Sequence, residues 1–405
     1  MVPAGAGQSS AKPMSQASTF RGTLQSDSSQ KHGLRILWLT WKDLGHPQAG
    51  GAEVLTHEVT RRLATAGNDV TVFTSAYEGC NSNEIVDGVR VIRSGTYRSS
   101  VFSAARQYYD SKLGENGFDV IVDAINTRPF NASQFARNGE RVVALISQLA
   151  KEYWFYETPF PLSYIGYYFL ENRWLRGYVN TPTITVSEST RKELLELGFN
   201  KVEVIPLGLN FEPLENPGEK EGYPVIAYAG RINRAKRPDI LVKAFRNVRD
   251  RLPNSELWII GKGPFEKKLK EIAGEGVKFF DSASNSERRA LLKKAWVLAN
   301  PSVREGFGLN IIEANALGVP CVAYDVPGLR DSIRDNETGL LVKASGPKAL
   351  SETLLRILTD DNLRTRLSTD ALRYSREFSW DRTAEEFMTL LDNFDGRIGR
   401  LKSSN

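Results

Sequence analysis

Two glutamates eight positions apart stand in a stretch whose spacing suits the binding of hydroxyl and phosphate groups. Glu305 lies directly before a Gly-Phe-Gly loop at residues 306–308, and Glu313 follows within an apolar run of helical spacing that begins at Leu309. The pattern predicts a tight loop that delivers the first carboxylate and a helix that carries the second about two turns along. The free N–H groups at the start of such a helix can bind a phosphate or sugar oxygen. A surface loop followed by an ordinary helix is the alternative interpretation.

Two basic residues follow a buried strand in the second half of the chain. The strand predicted at 225–229 ends in Gly230 and Arg231, and Lys236 lies near the start of the next helix. The planar guanidinium of an Arg and the ammonium group of a Lys at the carboxyl end of a strand are suited to binding a diphosphate. The alternative interpretation is that both are exposed basic residues at the start of a helix. The chain has no Asp-x-Asp, so we expect no metal-bridged diphosphate and no cofactor.

The first half opens with a strand, a glycine loop, a helix and a second strand. The strand at 34–40 leads to a helix at 50–67 that begins with Gly50 and Gly51, and the next strand spans 69–75. Such a βαβ unit binds ligands at the carboxyl ends of its strands. The spacing is not that of the dinucleotide fingerprint G-x-G-x-x-G.

The carboxylate of Glu53 and the imidazole of His57 lie one turn apart on that predicted helix. A solvated helix face explains the two residues better than a functional pair does. Asn126 follows a further strand in an Asn-Thr-Arg-Pro loop, and Ser147 and Gln148 follow the strand after that.

Residues 153–178 have the most unusual composition in the chain. Eleven of these 26 residues are aromatic, about four times the frequency of 10% in the whole chain. Tyr and Trp favour places where one end of the side chain is apolar and the other is wet, such as membrane interfaces and sugar-stacking surfaces. With Lys151, Arg173 and Arg176 nearby, the segment suits an anionic lipid surface or a lipid-linked acceptor. Filling of the core between cleft and sheet is an equally weighted alternative.

Length and composition exclude several classes of protein. A chain of 405 residues is expected to form two or three domains, and no apolar run approaches the ~18 residues that cross a bilayer. Two distant cysteines indicate neither a disulfide framework nor a zinc site. The composition of residues 1–32 predicts a disordered tail and lacks the apolar region of a signal peptide. We therefore expect a cytoplasmic protein, and the inner face of a membrane is the alternative location. A net charge of +5 suits anionic ligands, and no nucleic-acid-binding motif is present.

The stretch at residues 302–324, called the signature stretch below, resembles the donor-sugar motif of the retaining glycosyltransferases of family 4. The resemblance rests on Glu305, Glu313, the Gly-Phe-Gly loop and the following Gly-Val-Pro (318–320) and Val-Pro-Gly (326–328), and it extends over roughly residues 33–395. The family has the GT-B fold, an α/β architecture of two Rossmann-like domains that face a central cleft, with a C-terminal helix that crosses back to the N-terminal domain. The domains expected from the resemblance are a tail at 1–32, an acceptor domain at 33–209 joined by a helix at about 385–405, a linker at 210–222 and a nucleotide-sugar donor domain at 223–384.

The resemblance implies a role for each matching residue. Glu305 would orient the hydroxyls of the donor sugar, Glu313 would hold the ribose, and Arg231 and Lys236 would clamp the diphosphate. Glu305, Arg231 and Lys236 are therefore the expected catalytic residues. The expected donor-binding residues are these three together with Gly50, Gly51, Phe280 in the base-binding loop 279–282, Gly306, Phe307, Gly308, Leu309 and Glu313.

The acceptor side departs from the family pattern. Many members end the strand at 142–147 in a histidine that reaches the donor sugar or the acceptor, whereas this chain has Ser147 and Gln148 there. We expect Ser147, Gln148 and Asn126 on the acceptor side. The departure leaves open either a mechanism in which Ser147 or Gln148 supplies the hydrogen bond or a chain with reduced activity.

These features predict a metal-independent, retaining glycosyltransferase of the hexosyltransferase type. It would move a sugar from a UDP- or GDP-sugar to the hydroxyl of a sugar or lipid-linked acceptor, with an anionic membrane as an open peripheral partner and no nucleic acid. A nucleotide-sugar-binding homologue of weak or no activity and a nucleotide-sugar epimerase of the same fold are the alternatives. A glycosidase would leave Arg231 and Lys236 without a purpose, and a lipid-binding protein without sugar chemistry would leave the signature stretch unexplained.

Overall fold

The computed structural model describes residues 33–114, 117–137 and 139–401. The tail predicted at residues 1–32 lies outside the described residues, and so do the last four residues of the helix predicted at 385–405.

The first half of the chain forms a sheet of eight strands. They are β1 Arg35–Leu39, β2 Asp69–Ala76, β3 Asn83–Val86, β4 Val89–Thr96, β5 Val120–Ala124, β6 Arg141–Leu145, β7 Thr183–Thr185 and β8 Val202–Val204. Their order across the sheet is β3-β4-β2-β1-β5-β6-β7-β8, and all neighbours are parallel except β3 and β4.

The second half forms a parallel sheet of six strands. They are β9 Val225–Ala229, β10 Glu256–Ile260, β11 Val277–Phe280, β12 Val297–Asn300, β13 Cys321–Tyr324 and β14 Gly339–Val342. Their order is β11-β10-β9-β12-β13-β14. Residues 205–224 connect the two sheets.

Helices follow most of the strands. Those of the first half are α1 Gly51–Thr65, α2 Val101–Lys112, α3 Ala132–Phe135, α4 Tyr153–Glu157, α5 Leu162–Ile165, α6 Glu171–Leu175 and α7 Glu188–Glu196, with a π-helical turn at Gly166–Leu170 and a 3₁₀ turn at Arg176–Tyr178. Those of the second half are α8 Pro238–Arg251, α9 Glu266–Ile272, α10 Asn285–Lys294, α11 Leu309–Ala316, α12 Leu329–Ser332, α13 Pro347–Thr359, α14 Asp361–Ser375 and α15 Trp380–Leu401.

The strands are apolar on both faces because helices cover both sides of each sheet. In β1, Ile36 and Trp38 enter one buried cluster while Leu37 and Leu39 enter another. This burial explains why β1 and β9 read as continuous apolar runs in the sequence. All five residues of β9 are buried.

A hairpin between β3 and β4 was not predicted from the sequence. Asp87 and Gly88 join the strands with φ values of 47° and 81°, as a two-residue type I′ turn requires. The Asp-Gly dipeptide was the available signal. The short, mostly exposed β3 lies at the edge of the sheet and has no apolar alternation to mark it.

The last helix returns to the first sheet, as the sequence predicted. Phe387 of α15 stacks on Trp38 of β1 with ring centroids 5.2 Å apart, and Arg62 Nε of α1 donates to Asp381 Oδ1 at 2.6 Å. Aromatic burial of this kind adds to the apolar area that joins the helix to the sheet. Within the described ranges, none of the helices is both long and apolar enough to cross a bilayer.

Candidate active site

Loops after β9 and β12 bring two residues of the predicted donor site into direct contact. Lys236 Nζ donates to Glu305 Oε2 in an ion pair, and the side chains are 22% and 12% exposed. Burial by itself lowers the pKa of Lys236, but the Glu305 carboxylate and the Tyr153 hydroxyl outweigh it and hold the pKa above its usual value. Lys236 is therefore a fixed cation at neutral pH.

Hydrogen bonds hold the other carboxylate oxygen of Glu305. Ser302 Oγ donates to Glu305 Oε1 at 2.8 Å, and Asn300 Nδ2 lies 3.5 Å from the same oxygen. Asn310, in the first turn of α11, accepts from Asn300 at 3.4 Å and donates to the carbonyl of Ala229 at 2.8 Å. The network connects the ends of β9 and β12 to α11 and so fixes the position of the carboxylate. None of the three amide or hydroxyl partners was singled out in the sequence.

Arg231 supplies a cation that the protein itself does not neutralise. It is half-buried directly after β9, and among the described residues its guanidinium has no carboxylate partner. Burial lowers the pKa of His46 in the first domain, and the charges of Lys42 and Arg231 lower it further against the opposing effect of Asp43. This influence on the pKa of His46 is consistent with a position of Arg231 near the loop between β1 and α1.

Glu313 has a cationic partner different from that of Glu305. It lies on α11 and pairs with Arg288 of α10, with side-chain exposures of 19% and 25%. Nε of Arg288 is buried and has no hydrogen-bond partner in the part of the chain that the structure describes. A buried donor of this kind favours an additional acceptor, such as a ligand hydroxyl, at the site.

Glycines allow the two halves of the chain to approach closely at the cleft. Gly308 precedes α11 with a φ of +89°, a left-handed conformation that favours glycine. A Cβ added to Gly51 would lie 3.2 Å from Leu309 Cδ1, and one added to Gly306 would lie 2.9 Å from the carbonyl oxygen of Ser147. The structure thus brings Gly51 against the start of α11 and Gly306 against the end of β6.

The loop before α1 is closed by a buried ion pair. The N–H of Gly50 donates to Glu53 Oε2 at 2.6 Å, and Glu53 Oε1 lies 3.3 Å from Lys42 Nζ. Both charged residues are buried, so the expectation that Glu53 lies on a solvated helix face is wrong. Helical spacing could not show this, because the cationic partner of Glu53 comes from the loop after β1, which carries Lys42.

Two predicted donor-site aromatics direct their rings into the core. Phe307 is buried against Phe378, with ring centroids 5.6 Å apart. Phe280 packs against Trp258 at 5.6 Å, and its carbonyl accepts from the N–H of Gly261. Only the backbone of Phe307 is therefore placed to contact a ligand.

The predicted acceptor-side residues share one edge of the first sheet. Asn126 follows β5, and Ser147 and Gln148 follow β6. These strands are neighbours, with Ala124 paired to Leu145. Parallel strands present their carboxyl ends at the same edge, which places all three residues on the cleft side.

A buried carboxylate fixes the loop that carries Asn126. Asp123 accepts from the N–H groups of Phe130 and Ala132 at 3.2 Å each and from the hydroxyl of Tyr178. Burial raises the pKa of Asp123 to about 6, and the hydrogen bonds oppose this shift. Since Tyr178 belongs to the aromatic segment, the contact joins that segment to the acceptor-side loop.

Arg304 joins the two domains next to the site. Its Nη atoms donate to both carboxylate oxygens of Glu193 at 2.7 Å, and its Nε donates to Glu152 at 2.8 Å. The Arg304 side chain is 4% exposed. Sequence reasoning missed this residue, although it directly precedes Glu305.

The start of the aromatic segment contacts the loop after β9. Glu157 Oε1 accepts from the N–H of Ala235 at 3.2 Å, and Arg237 Nη1 donates to Tyr156 Oη at 3.0 Å. The segment therefore lines the cleft between the domains. Across the described residues, no group of three or more His, Cys, Asp or Glu side chains could hold a metal ion.

Two parallel-sheet domains that meet at a cleft with two cations, two carboxylates and facing glycine loops define a protein of the GT-B class. Residues 49–213 match the family model described as Glycosyltransferase Family 4, and residues 212–373 match Glycosyl transferases group 1. The chain belongs to the family 4 glycosyltransferases.

Curated relatives match parts of the chain. A D-inositol 3-phosphate glycosyltransferase of Corynebacterium glutamicum (strain R) is 35% identical over 180 residues, 42% of this chain and 43% of that protein. A phosphatidyl-myo-inositol mannosyltransferase of Mycobacterium leprae (strain TN) is 31% identical over 219 residues, 52% of this chain and 58% of that protein. Each match spans less than two thirds of the relative's length.

Solved structures confirm the predicted GT-B fold. A sucrose-phosphate synthase from Thermosynechococcus elongatus superimposes with a TM-score of 0.73 at 21% identity, covering 90% of this chain and 100% of that one. Anabaena HepE in complex with UDP and glucose superimposes with a TM-score of 0.66 at 17% identity, covering 89% and 100%.

Proposed function

We propose that the protein transfers a hexosyl group from a nucleoside diphosphate sugar to an acceptor hydroxyl, with retention of the anomeric configuration. The observation that carries the proposal is the guanidinium of Arg231, which has no carboxylate partner among the described residues and lies on the same loop as Lys236 of the Lys236–Glu305 ion pair. A bound diphosphate would supply the negative counter-charge for the Arg231 guanidinium. The carboxylate of Glu305 can accept hydrogen bonds from sugar hydroxyls.

The reaction breaks the bond between the anomeric carbon and the diphosphate oxygen and forms a bond to the acceptor oxygen on the same face. Negative charge grows on the departing oxygen, where Arg231, Lys236 and the first N–H groups of α11 stabilise it. The departing phosphate oxygen takes the proton of the acceptor hydroxyl, so no protein base is needed. Retention is supported by the resemblance to family 4, and an NMR assignment of the product anomer tests it.

The proposed donor is a UDP- or GDP-sugar. The HepE structure, which holds UDP and glucose, supports uridine for a chain of this fold. Glu313 and Arg288 would bind the ribose, since Arg288 has a buried donor that lacks a partner. We propose that no metal ion takes part because Arg231 and Lys236 supply the positive charge, and unchanged turnover in EDTA would support this.

The proposed acceptor is a sugar or polyol hydroxyl, free or linked to a lipid. One relative is named for D-inositol 3-phosphate and another for phosphatidyl-myo-inositol. Both names combine a polyol with a phosphate. Asn126, Ser147 and Gln148 would contact this acceptor at the edge of the first sheet.

A donor-binding homologue of low activity is the second candidate. Ser147 stands where many family members have a histidine, and this substitution favours it. The two carboxylates have separate cationic partners, Lys236 and Arg288, which gives no support to a glycosidase that uses both on one bond.

A thermal-shift panel with UDP, GDP, ADP and their common sugar conjugates tests the proposal, because a ligand bound by the folded state raises its apparent stability. We expect a shift with one nucleotide that is lost in Glu313→Ala and kept in Glu196→Ala, an exposed carboxylate of α7. No shift with any nucleotide in the folded wild type would contradict the proposal. A shift without turnover on any acceptor would favour the second candidate.

A further inference from the structure

An exposed apolar surface lies beside the candidate active site. Seven of the ten exposed large hydrophobic side chains of the described residues fall within fifteen positions. They form the exposed aromatic face, which consists of Phe155, Phe160, Leu162, Tyr164, Ile165, Tyr168 and Phe169. Ring contacts centred on Tyr164 join it to Phe155 at 5.1 Å, Phe160 at 5.8 Å and Tyr168 at 6.2 Å. A contiguous apolar surface of this kind marks a site of interaction.

The structure divides the aromatic segment into a packed side and an exposed side. Trp154 lies so close to Gly166 that a Cβ there would be 2.1 Å from the indole ring, and its Nε1 donates to Glu171 at 3.3 Å. Buried Glu171 also accepts from the N–H groups of Ala150 and Lys151. The exposed aromatic face is therefore held on a fixed support. Some rings of the segment are packed and others are exposed, so core filling accounts for only part of it.

Two exposed arginines follow this face in the chain. Of the three acidic residues of 151–178, Glu152 pairs with Arg304 and Glu171 is buried, while Glu157 is exposed and accepts from a backbone N–H. Arg173 and Arg176 are exposed one turn apart and, within the described part of the chain, have no carboxylate partner. The two guanidiniums line a cavity of about 390 Å³ together with Asn131, Gln134, Trp174 and Gly177.

We propose that the exposed aromatic face and the Arg173/Arg176 cavity dock on the surface of an anionic lipid bilayer. Phe and Tyr rings at the surface enter the boundary between headgroups and acyl chains, where aromatic side chains are favoured. The two unpaired guanidiniums meet headgroup phosphates, and a negatively charged leaflet attracts each of them. The combination of apolar rings with unpaired cations selects a bilayer over a second copy of this chain, which would bring like charges together.

Docking by this face would place the bilayer next to the cleft. Tyr156 and Glu157, between the exposed rings, contact Arg237 and Ala235 of the donor domain. Resting on the proposed function, this points to an acceptor that carries a lipid and enters the cleft from the membrane surface. The docking itself does not depend on the transfer reaction.

Sedimentation of the full-length protein with vesicles tests the docking. The probes are vesicles of phosphatidylcholine alone and vesicles with about 30% phosphatidylglycerol. We expect the wild type to bind the anionic vesicles more tightly, and Arg173→Gln/Arg176→Gln to reduce this binding about 10- to 30-fold. Phe160→Ser/Phe169→Ser should reduce binding about tenfold or more on both vesicle types.

Matched control variants remove two cations or two apolar side chains from exposed positions outside the proposed docking surface. Lys192→Gln/Lys348→Gln deletes two exposed cations, and Leu195→Ser/Ile85→Ser deletes two exposed apolar side chains. Both should bind like the wild type, with circular dichroism to confirm folding. Absence of vesicle binding by the wild type, or equal losses in the controls, would overturn the docking. Light scattering that shows dimers dissociated by Phe160→Ser would also overturn it, in favour of a second copy.

A separate donor-binding measurement keeps the two proposals apart. Vesicle binding without nucleotide binding would remove the proposed function and leave the docking. Nucleotide binding without vesicle binding would remove the docking and leave the proposed function.

Discussion

Lys236 and Glu305, 69 residues apart in the chain, form a largely buried ion pair between the loop after β9 and the loop before α11. The pair places a carboxylate for sugar hydroxyls beside a cation for a diphosphate. Lys236→Met would remove one partner and leave Glu305 without its charge partner. We expect turnover to fall about 100-fold or more, as measured by initial rates of sugar transfer. Unchanged turnover in a folded variant would exclude Lys236 from the mechanism.

Arg231→Ala should lower turnover more than donor affinity. The expected reason is that Arg231 acts mainly on the charge that develops on the departing oxygen, so that kcat falls about 100-fold while the Kd of the donor rises by a smaller factor. Calorimetry gives the affinity and initial rates give the turnover. Arg234→Ala, an exposed arginine three positions away, should change neither. Weaker donor affinity with unchanged kcat would show that Arg231 contributes only uniform binding.

Gly306→Ala should disrupt the close contact between the two domains at Ser147. The new Cβ would lie 2.9 Å from the Ser147 carbonyl, and backbone on both sides resists a shift. We expect a loss of about 1 to 3 kcal/mol in the free energy of unfolding, measured with urea, together with lower activity. Gly222→Ala introduces the same methyl group where nothing lies within 4 Å. A similar effect of both variants would show that the close contact is irrelevant.

Arg304→Ala should destabilise the fold because it leaves the carboxylate of Glu193 without its cationic partner. Arg304 is almost fully buried and binds both oxygens of Glu193, whose side chain is 20% exposed. Removal is expected to lower the free energy of unfolding by about 3 kcal/mol. Arg330→Ala, which breaks an exposed pair with Asp325, should lower it by less than about 1 kcal/mol. Comparable losses in urea titrations of the two variants would contradict the role of Arg304.

The carboxyl of Asp123 should make stability depend on pH. Its folded-state pKa of about 6 lies above the unfolded value of 3.8. Stability from this group is therefore fully present below about pH 4 and is lost as the pH rises through 6. Asp123→Asn cannot titrate, so the free energy of unfolding of the wild type minus that of the variant should fall by about 1 kcal/mol between pH 5 and 7.5. A difference independent of pH would contradict the raised pKa.

Much of the architecture follows from local patterns in the sequence. Parallel strands such as β1 and β9 show as apolar runs, and the helix start at Gly308 follows from a glycine loop before apolar residues of helical spacing. By contrast, the partners of Arg304 could not be predicted, because Glu152 and Glu193 lie more than 100 positions away in the chain. The burial of Glu53 could not be predicted either, because it depends on how the loop that carries Lys42 folds over α1.

Apolar periodicity predicted individual strands and helices, and short motifs carried the resemblance to family 4, which implied the two-domain fold. Which charges meet depends on the folded chain. There Lys236 pairs with Glu305 and Glu313 with Arg288, while Arg231 has no carboxylate partner among the described residues. The tertiary structure also separated the aromatic residues of 153–178 into packed and exposed sets. Such pairings depend on distances between loops that are far apart along the chain, and no local spacing encodes those distances.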